Sequence, residues 1–159
     1  MLKQENNLIL IVILFFVSLI LISAFVIEYK LGYQPCKLCV FERIPYILSI
    51  LLIIKILFFK KYEKITLFIL FLIFIASAVL AFYHFGIEQG FFSESVCKVG
   101  DLSGTLSKEQ LLEQLNKNNI SCKDVSFRVL GLSLATINTI LSIILSVIFL
   151  KLFLNYTKN

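Results

Sequence analysis

Twenty consecutive residues, Leu8 to Ile27, carry no charge. No other feature limits so sharply what this chain can fold into. At about 1.5 Å per residue the run reaches roughly 30 Å as a helix, the thickness of a bilayer's hydrocarbon core. A cleaved secretory signal would have an apolar core of only about 7–15 residues followed by small residues. Here Glu28-Tyr29-Lys30 follows instead, so the run is expected to be a retained membrane span.

Three further runs fit the same description. The second lies over about 41–59 and is interrupted by Lys55, which can snorkel toward Lys60 and Lys61. The third is 65–83 and the fourth about 127–154, which carries Asn138 and several Ser and Thr. Small polar groups in such a span bond to a neighbouring helix or back to their own backbone. The runs are continuous rather than alternating and far longer than strands. Composition agrees: the chain is 59% hydrophobic and 16% charged, with a mean hydropathy of +0.95, well above the roughly 45–50% apolar content of a soluble domain. That excludes an ordinary cytosolic enzyme, a disordered chain and a collagen-like chain. The expected fold class is an all-α membrane protein, a single integral domain over 1–159 built as a four-transmembrane-helix bundle.

The connections differ in kind. Lys60 to Lys64 is a short turn with three lysines, whereas 28–40 and 84–126 are longer and polar. Within the last, Ser107-Lys108-Glu109-Gln110 matches a capping box ahead of Leu111, Leu112 and Leu115. It predicts a short amphipathic helix, either lying on the membrane or packed on the loop. An even number of spans puts both termini on one side, and the lysine turn marks that side as cytoplasmic. Cys36, Cys39, Cys97 and Cys122 all fall in the two loops of the opposite side. Disulfides persist on an oxidising side and not in the cytosol, so the cysteines support the same orientation.

Cys36-Lys37-Leu38-Cys39 is a C-x-x-C, the spacing of a reversible redox dithiol. Cys97 and Cys122 form a more widely spaced second pair. Two structural disulfides are an alternative for the four. A zinc site normally needs two closely spaced ligand halves, and the sequence offers one, so no metal is expected. Arg43 follows Cys39 by four residues and can stabilise a thiolate there. Its alternative is a lipid headgroup anchor. Pro45 suits a first helical turn, which would leave Arg43 beside Cys39 through loop geometry. Glu42 is expected either to pair with Arg43 or to face water, with no catalytic part. A dithiol at the membrane surface needs an electron acceptor. The chain lacks a C-x-x-C-H haem motif, a GxGxxG and an iron–sulfur cysteine run. A quinone fits, with Arg43 or His84 placed to stabilise its reduced anion.

Gln34-Pro35-Cys36-Lys37-Leu38-Cys39-Val40-Phe41-Glu42-Arg43 resembles the P-C-x-x-C-x-[YF]-[EQ]-R signature of the bacterial DsbB family. The stretches Ala81 to Gly90, before Cys97, and Phe127 to Ser133, after Cys122, are similar to that family as well. The resemblance covers nearly the whole chain. It implies an inner-membrane, quinone-dependent thiol oxidase, with both termini cytoplasmic and the cysteine loops periplasmic. Such an enzyme reoxidises a periplasmic DsbA-like thioredoxin-fold protein and passes the electrons to ubiquinone or menaquinone, in support of disulfide bond formation. By position, Cys97–Cys122 would be the loop disulfide attacked by that partner, with Cys97 in the mixed disulfide. Cys36–Cys39 would receive the electrons, Cys39 next to the quinone, with Arg43 and His84 at the quinone site. The family often carries Trp near these loops; this chain has none, and Phe91, Phe92 and Phe127 stand in. No nucleic-acid partner is implied. Two other readings are a four-helix reductase of the vitamin K epoxide reductase type, whose C-x-x-C lies late in the bundle, and a membrane scaffold with structural disulfides.

Overall fold

The computed structural model describes residues 2–59, 62–93, 122, 128–129 and 131–158, with side chains over 7–59, 62–93, 122 and 131–156. Cys97, Lys60, Lys61, Phe127 and the expected helix around 107–115 lie outside the described residues.

The chain runs through α1 (Leu2–Tyr29), a short α2 (Lys37–Phe41), α3 (Ile44–Phe58), α4 (Glu63–Glu88), a hairpin of β1 (Arg128–Val129) and β2 (Leu132–Ser133), and α5 (Leu134–Lys158). Among the described residues three stretches are long and apolar enough to cross a membrane: Asn7–Tyr29, Glu63–Glu88 and Leu134–Tyr156. α3, at 15 residues, reaches only about 22 Å and falls short of that length. The expected second span over 41–59 is thus a shorter helix, α3, set off from α2 by a break at Glu42 and Arg43. Pro45 sits in the first turn of α3, where its missing N–H costs nothing.

Two other boundaries differ from expectation. α4 continues past Tyr83 to Glu88, because Ala81, His84, Gly86 and Ile87 keep facing inward. It stops at Gly90 (φ +79°). There the Gly90 N–H donates to the Ile87 carbonyl at 3.0 Å and the Phe91 N–H to the Gly86 carbonyl at 2.8 Å, a Schellman cap. His84, expected in a loop, is therefore a helical residue. The fourth span begins at Leu134 rather than near 127. The hairpin turn uses Gly131 at φ +84°, a conformation that costs a residue without Cβ little. Ser133 then caps α5 by accepting from the Thr136 N–H at 3.2 Å.

α4 and α5 make the most extensive helix pairing, and α1 packs on α3 and α3 on α4. One apolar core joins Leu10, Ile13 and Val17 of α1 to Ile53 and Ile56 of α3, Leu67, Leu70 and Phe74 of α4, and Leu145, Phe149 and Leu152 of α5. Most of these come from the N-terminal parts of α1 and α4 and the C-terminal parts of α3 and α5, with Val17 and Leu145 near the helix midpoints. The helices therefore alternate in direction, and their other ends meet at the far end of the bundle. Phe74 stacks on Phe149 with centroids 5.5 Å apart and meets Tyr46 edge-on at 5.8 Å. The polar residues of the spans bond both ways: Ser77 to Ser142 across α4 and α5 at 3.0 Å, and the Thr139 hydroxyl to the Ala135 carbonyl at 2.8 Å. Leu8, Phe15, Val79, Phe82, Ile143 and others face outward, an apolar surface suited to lipid.

Candidate active site

At the far end of the bundle the C-x-x-C opens α2. Cys36 is the N-cap, and its sulfur accepts from the Cys39 N–H at 3.2 Å. The two cysteines are joined in a disulfide across a Cα separation of 5.2 Å. Cys36 is buried and Cys39 half-buried. They share a small core with Leu38, Ile87 and Cys122, flanked by Leu80 and Tyr83. Cys122 is itself held in a disulfide and buried, so a sulfur of the second pair packs in the same cluster as the first.

A continuous polar chain supports the dithiol pair from behind. His84 Nε2 lies 3.5 Å from Cys36 Sγ. Its Nδ1 is 2.7 Å from Glu42 Oε1, and Glu42 Oε2 accepts from the Asn138 amide at 2.6 Å. Tyr46 in turn donates its hydroxyl to Asn138. With the Glu42 carboxylate as acceptor, Nδ1 carries the proton and Nε2 presents its lone pair toward the sulfur. Glu42 and His84 are buried, where a polar group must be partnered or it destabilises the fold. Glu88, one helical turn after His84, places Oε1 3.8 Å from the same Nε2. Its other oxygen is buried without a hydrogen-bond donor among the described residues.

Arg43 pairs with Glu28 at the end of α1 and lies 5.0 Å over the Phe25 ring. It reaches the site from the break between α2 and α3. It lines, with Cys39 and His84, a cavity of about 530 Å³ whose walls include Ile20, Ala24, Ile27 and Leu141. An apolar slot with a few convergent polar groups is the usual form of a small-molecule site.

Of the expected site residues, Cys36, Cys39, Cys122, Arg43 and His84 meet at this cavity, and Cys97 lies outside the described residues. Glu42 needs a correction. Rather than pairing with Arg43 or facing water, it is 7% exposed and bridges His84 to Asn138. The break at residues 42–43 turns it inward, while Arg43 finds a carboxylate on α1. Asn138, Tyr46, Glu88 and Glu28 were not anticipated as site residues. A signal existed for two of them: Asn138 is an amide in a lipid-length span, and such residues usually face a site, while Glu88 shares a helix face with His84 at i,i+4. Cys36, Cys39 and His84 also place their ligand atoms within 4.8 Å of one another.

A buried, histidine-backed disulfide at the mouth of an apolar cavity, in a bundle of lipid-facing helices, defines a membrane thiol–disulfide redox protein. Residues 6–152 match the family described as disulfide bond formation protein DsbB, and the chain belongs to that family. It is similar, at 32% identity over 99% of its length and 93% of the relative's, to a protein of Rickettsia prowazekii (strain Madrid E) named "Uncharacterized protein RP370". No solved structure matches. Membership makes this a multi-pass membrane thiol oxidoreductase of disulfide bond formation.

Proposed function

We propose that the protein reoxidises a periplasmic DsbA-like dithiol protein and delivers the electrons to a membrane quinone, ubiquinone or menaquinone. In this reading it sits in the bacterial inner membrane with both termini cytoplasmic, α2 and α3 together making the fourth crossing. The observation that carries it is the packing of Cys122 against the Cys36–Cys39 pair beside the cavity. A second disulfide in contact with the first is what an exchange relay needs, since each transfer is a thiolate attack on a neighbouring disulfide.

The partner's two thiols reduce Cys97–Cys122, attack falling on Cys97, and the partner leaves as a disulfide. The Cys97 and Cys122 thiols then reduce Cys36–Cys39 by a second exchange. When bound in the cavity, the quinone supplies a two-electron, two-proton acceptor, letting Cys36–Cys39 close again. The apolar walls fit such a ring, and two polar groups fit its oxygens. Arg43, fixed by Glu28, offers a cation to the oxygen that gains charge. His84, held by Glu42, takes the proton from the Cys36 thiol at Nε2. The direction is demanding, because DsbA proteins are strong oxidants at about −120 mV, and the DsbA–DsbB–quinone system is established as what keeps the bacterial periplasm oxidising.

Purified protein in detergent, given a reduced DsbA-type partner, should oxidise it only when quinone is added. Cys39→Ser should stop quinone reduction. Turnover persisting without quinone or any other acceptor would overturn the proposal.

A further inference from the structure

We propose that opening the Cys36–Cys39 disulfide creates a binding site for a thiophilic divalent cation of the Zn²⁺ class, with Cys36, Cys39, His84 and Glu88 as its ligands. The sequence offers one ligand half, C-x-x-C. The fold supplies the other from the last turns of α4, where His84 and Glu88 lie at i,i+4 on one face. Together they read as C-x₂-C with H-x₃-E, a donor set of two sulfurs, one nitrogen and one oxygen that zinc accepts in tetrahedral geometry.

The sulfur and nitrogen atoms suit the cation. Bonds of about 2.3 Å to sulfur and about 2.0 Å to nitrogen or oxygen put neighbouring ligand atoms of a tetrahedron roughly 3.5 Å (sulfur to nitrogen), 3.8 Å (sulfur to sulfur) and 3.3 Å (nitrogen to oxygen) apart. Cys36 Sγ and His84 Nε2 are already 3.5 Å apart, and Cys36, Cys39 and His84 place their ligand atoms within 4.8 Å of one another. Glu88 Oε1, 3.8 Å from His84 Nε2, must swing in by roughly 0.5 Å to complete the set.

Two independent features point to a ligand here. First, the Glu88 side chain is 6% exposed, and its Oε2 is buried with no hydrogen-bond donor among the described residues. A carboxylate oxygen left that way costs free energy unless something positive meets it. Arg43, which lines the same cavity, is committed to Glu28. Second, His84 is set up as metal-binding histidines usually are: Glu42 holds Nδ1 at 2.7 Å, and Asn138 in turn holds Glu42. That arrangement fixes the tautomer that leaves the Nε2 lone pair free.

The oxidation state is the gate. Opening the disulfide consumes two electrons and two protons and yields two thiols. The cation then binds both sulfurs as thiolates and expels the two protons. The two thiolates neutralise the cation's charge, and with the Glu88 carboxylate the bound site carries one net negative charge. While bound, the cation holds both sulfurs and prevents them from closing. The site needs only that the pair can be reduced, so it stands or falls apart from the quinone reading.

The test uses the full chain in detergent carrying Cys97→Ser and Cys122→Ser, so that one pair of thiols remains. After reduction with a phosphine, it is titrated with Co²⁺, then with Zn²⁺. Expected are one equivalent of Co²⁺ with thiolate charge-transfer and tetrahedral d–d absorption, displacement by Zn²⁺, and no bands from the disulfide form. Glu88→Gln, which keeps size and helix, and Glu42→Gln should each weaken binding about 10- to 100-fold. His84→Ala should remove the tetrahedral spectrum. Far-UV circular dichroism of each oxidised variant checks its fold. Equal binding by oxidised and reduced protein, or an unchanged spectrum and affinity in a folded His84→Ala, Glu88→Gln double variant, would overturn the proposal.

Discussion

Removing the Glu42 carboxylate tests whether the polar chain behind the disulfide is a working part of the bundle. In Glu42→Ala two donors, the buried His84 Nδ1–H and the half-buried Asn138 amide, lose their acceptor at once. Each orphaned donor costs about 1–3 kcal/mol. The cavity at their side admits water that re-partners one of them in part, which brings the sum to about 2–4 kcal/mol. On the scale of soluble chains of this size that is a fall of roughly 4–16 °C in melting midpoint. Glu42→Gln behaves differently. Its amide oxygen still accepts from Asn138, but its NH₂ now faces Nδ1. His84 must then move its proton to Nε2, the nitrogen 3.5 Å from Cys36 Sγ. Stability should drop by only about 1 kcal/mol, while thiol exchange at Cys36 slows by about 10²-fold, the usual contribution of one general base. The assay is paired: thermal unfolding of the oxidised protein in detergent followed by circular dichroism, and the rate of partner-dependent quinone reduction. The nitrogen shifts of the single histidine in labelled protein report the tautomer. If Glu42→Ala melts with wild type, or Glu42→Gln loses as much stability as Ala yet keeps its rate, the reasoning fails.

Arg43→Ala should raise the apparent KM for quinone with little change in melting, because the guanidinium lies beside the cavity rather than in the apolar core; Glu28→Gln should give a smaller rise in the same direction, since it removes only what holds Arg43. An unchanged KM in Arg43→Ala would return the arginine to a headgroup anchor. Gly90→Ala should lower the melting midpoint by an amount corresponding to about 1 kcal/mol or more, the cost of a Cβ at φ +79°, readable by the same melting experiment. Ser77→Ala should cost only about 0.6 kcal/mol, the average for a hydrogen bond between membrane helices; a loss of several kcal/mol would mean that the Ser77–Ser142 contact is doing something other than bridging two helices.

The helices were legible because lipid-length apolar runs admit few conformations. Their ends were not, because the deciding contacts are between residues distant in sequence. The run 65–83 stops at a polar residue, His84, yet the helix continues because His84 finds Glu42 on another element and Ile87 finds the sulfur cluster. The fourth run reads as apolar from Phe127, but Gly131 and the Ser133 cap delay the helix to Leu134. The cysteines, Arg43 and His84 could be picked out one by one from chemistry and spacing. What spacing could not reveal was the wiring between them. Glu42 next to Arg43 in sequence reads as an ion pair, and only the break between α2 and α3 sends the two side chains in opposite directions.

That wiring follows from how the bundle divides its labour along its length. Apolar residues from all four long helices close one end, and there the fold needs only shape. At the other end Glu28, Glu42, His84, Glu88 and Asn138 are gathered from α1, the α2–α3 break, α4 and α5. Buried polar groups in a membrane bundle contribute little net stability even when satisfied and cost several times more when orphaned. A bundle under selection for stability alone would keep such groups out of its interior. Their concentration around one reversible disulfide is therefore explained by the chemistry there. In the proposed relay a thiol pair needs a base within reach of one sulfur, a cation within reach of its acceptor, and enough fixed hydrogen bonds to hold both while the disulfide opens and closes. The alternating helix directions make this possible, because they bring two helix C-termini and two helix N-termini to one cavity, the end of α4 delivering two members of the set and each of the others one.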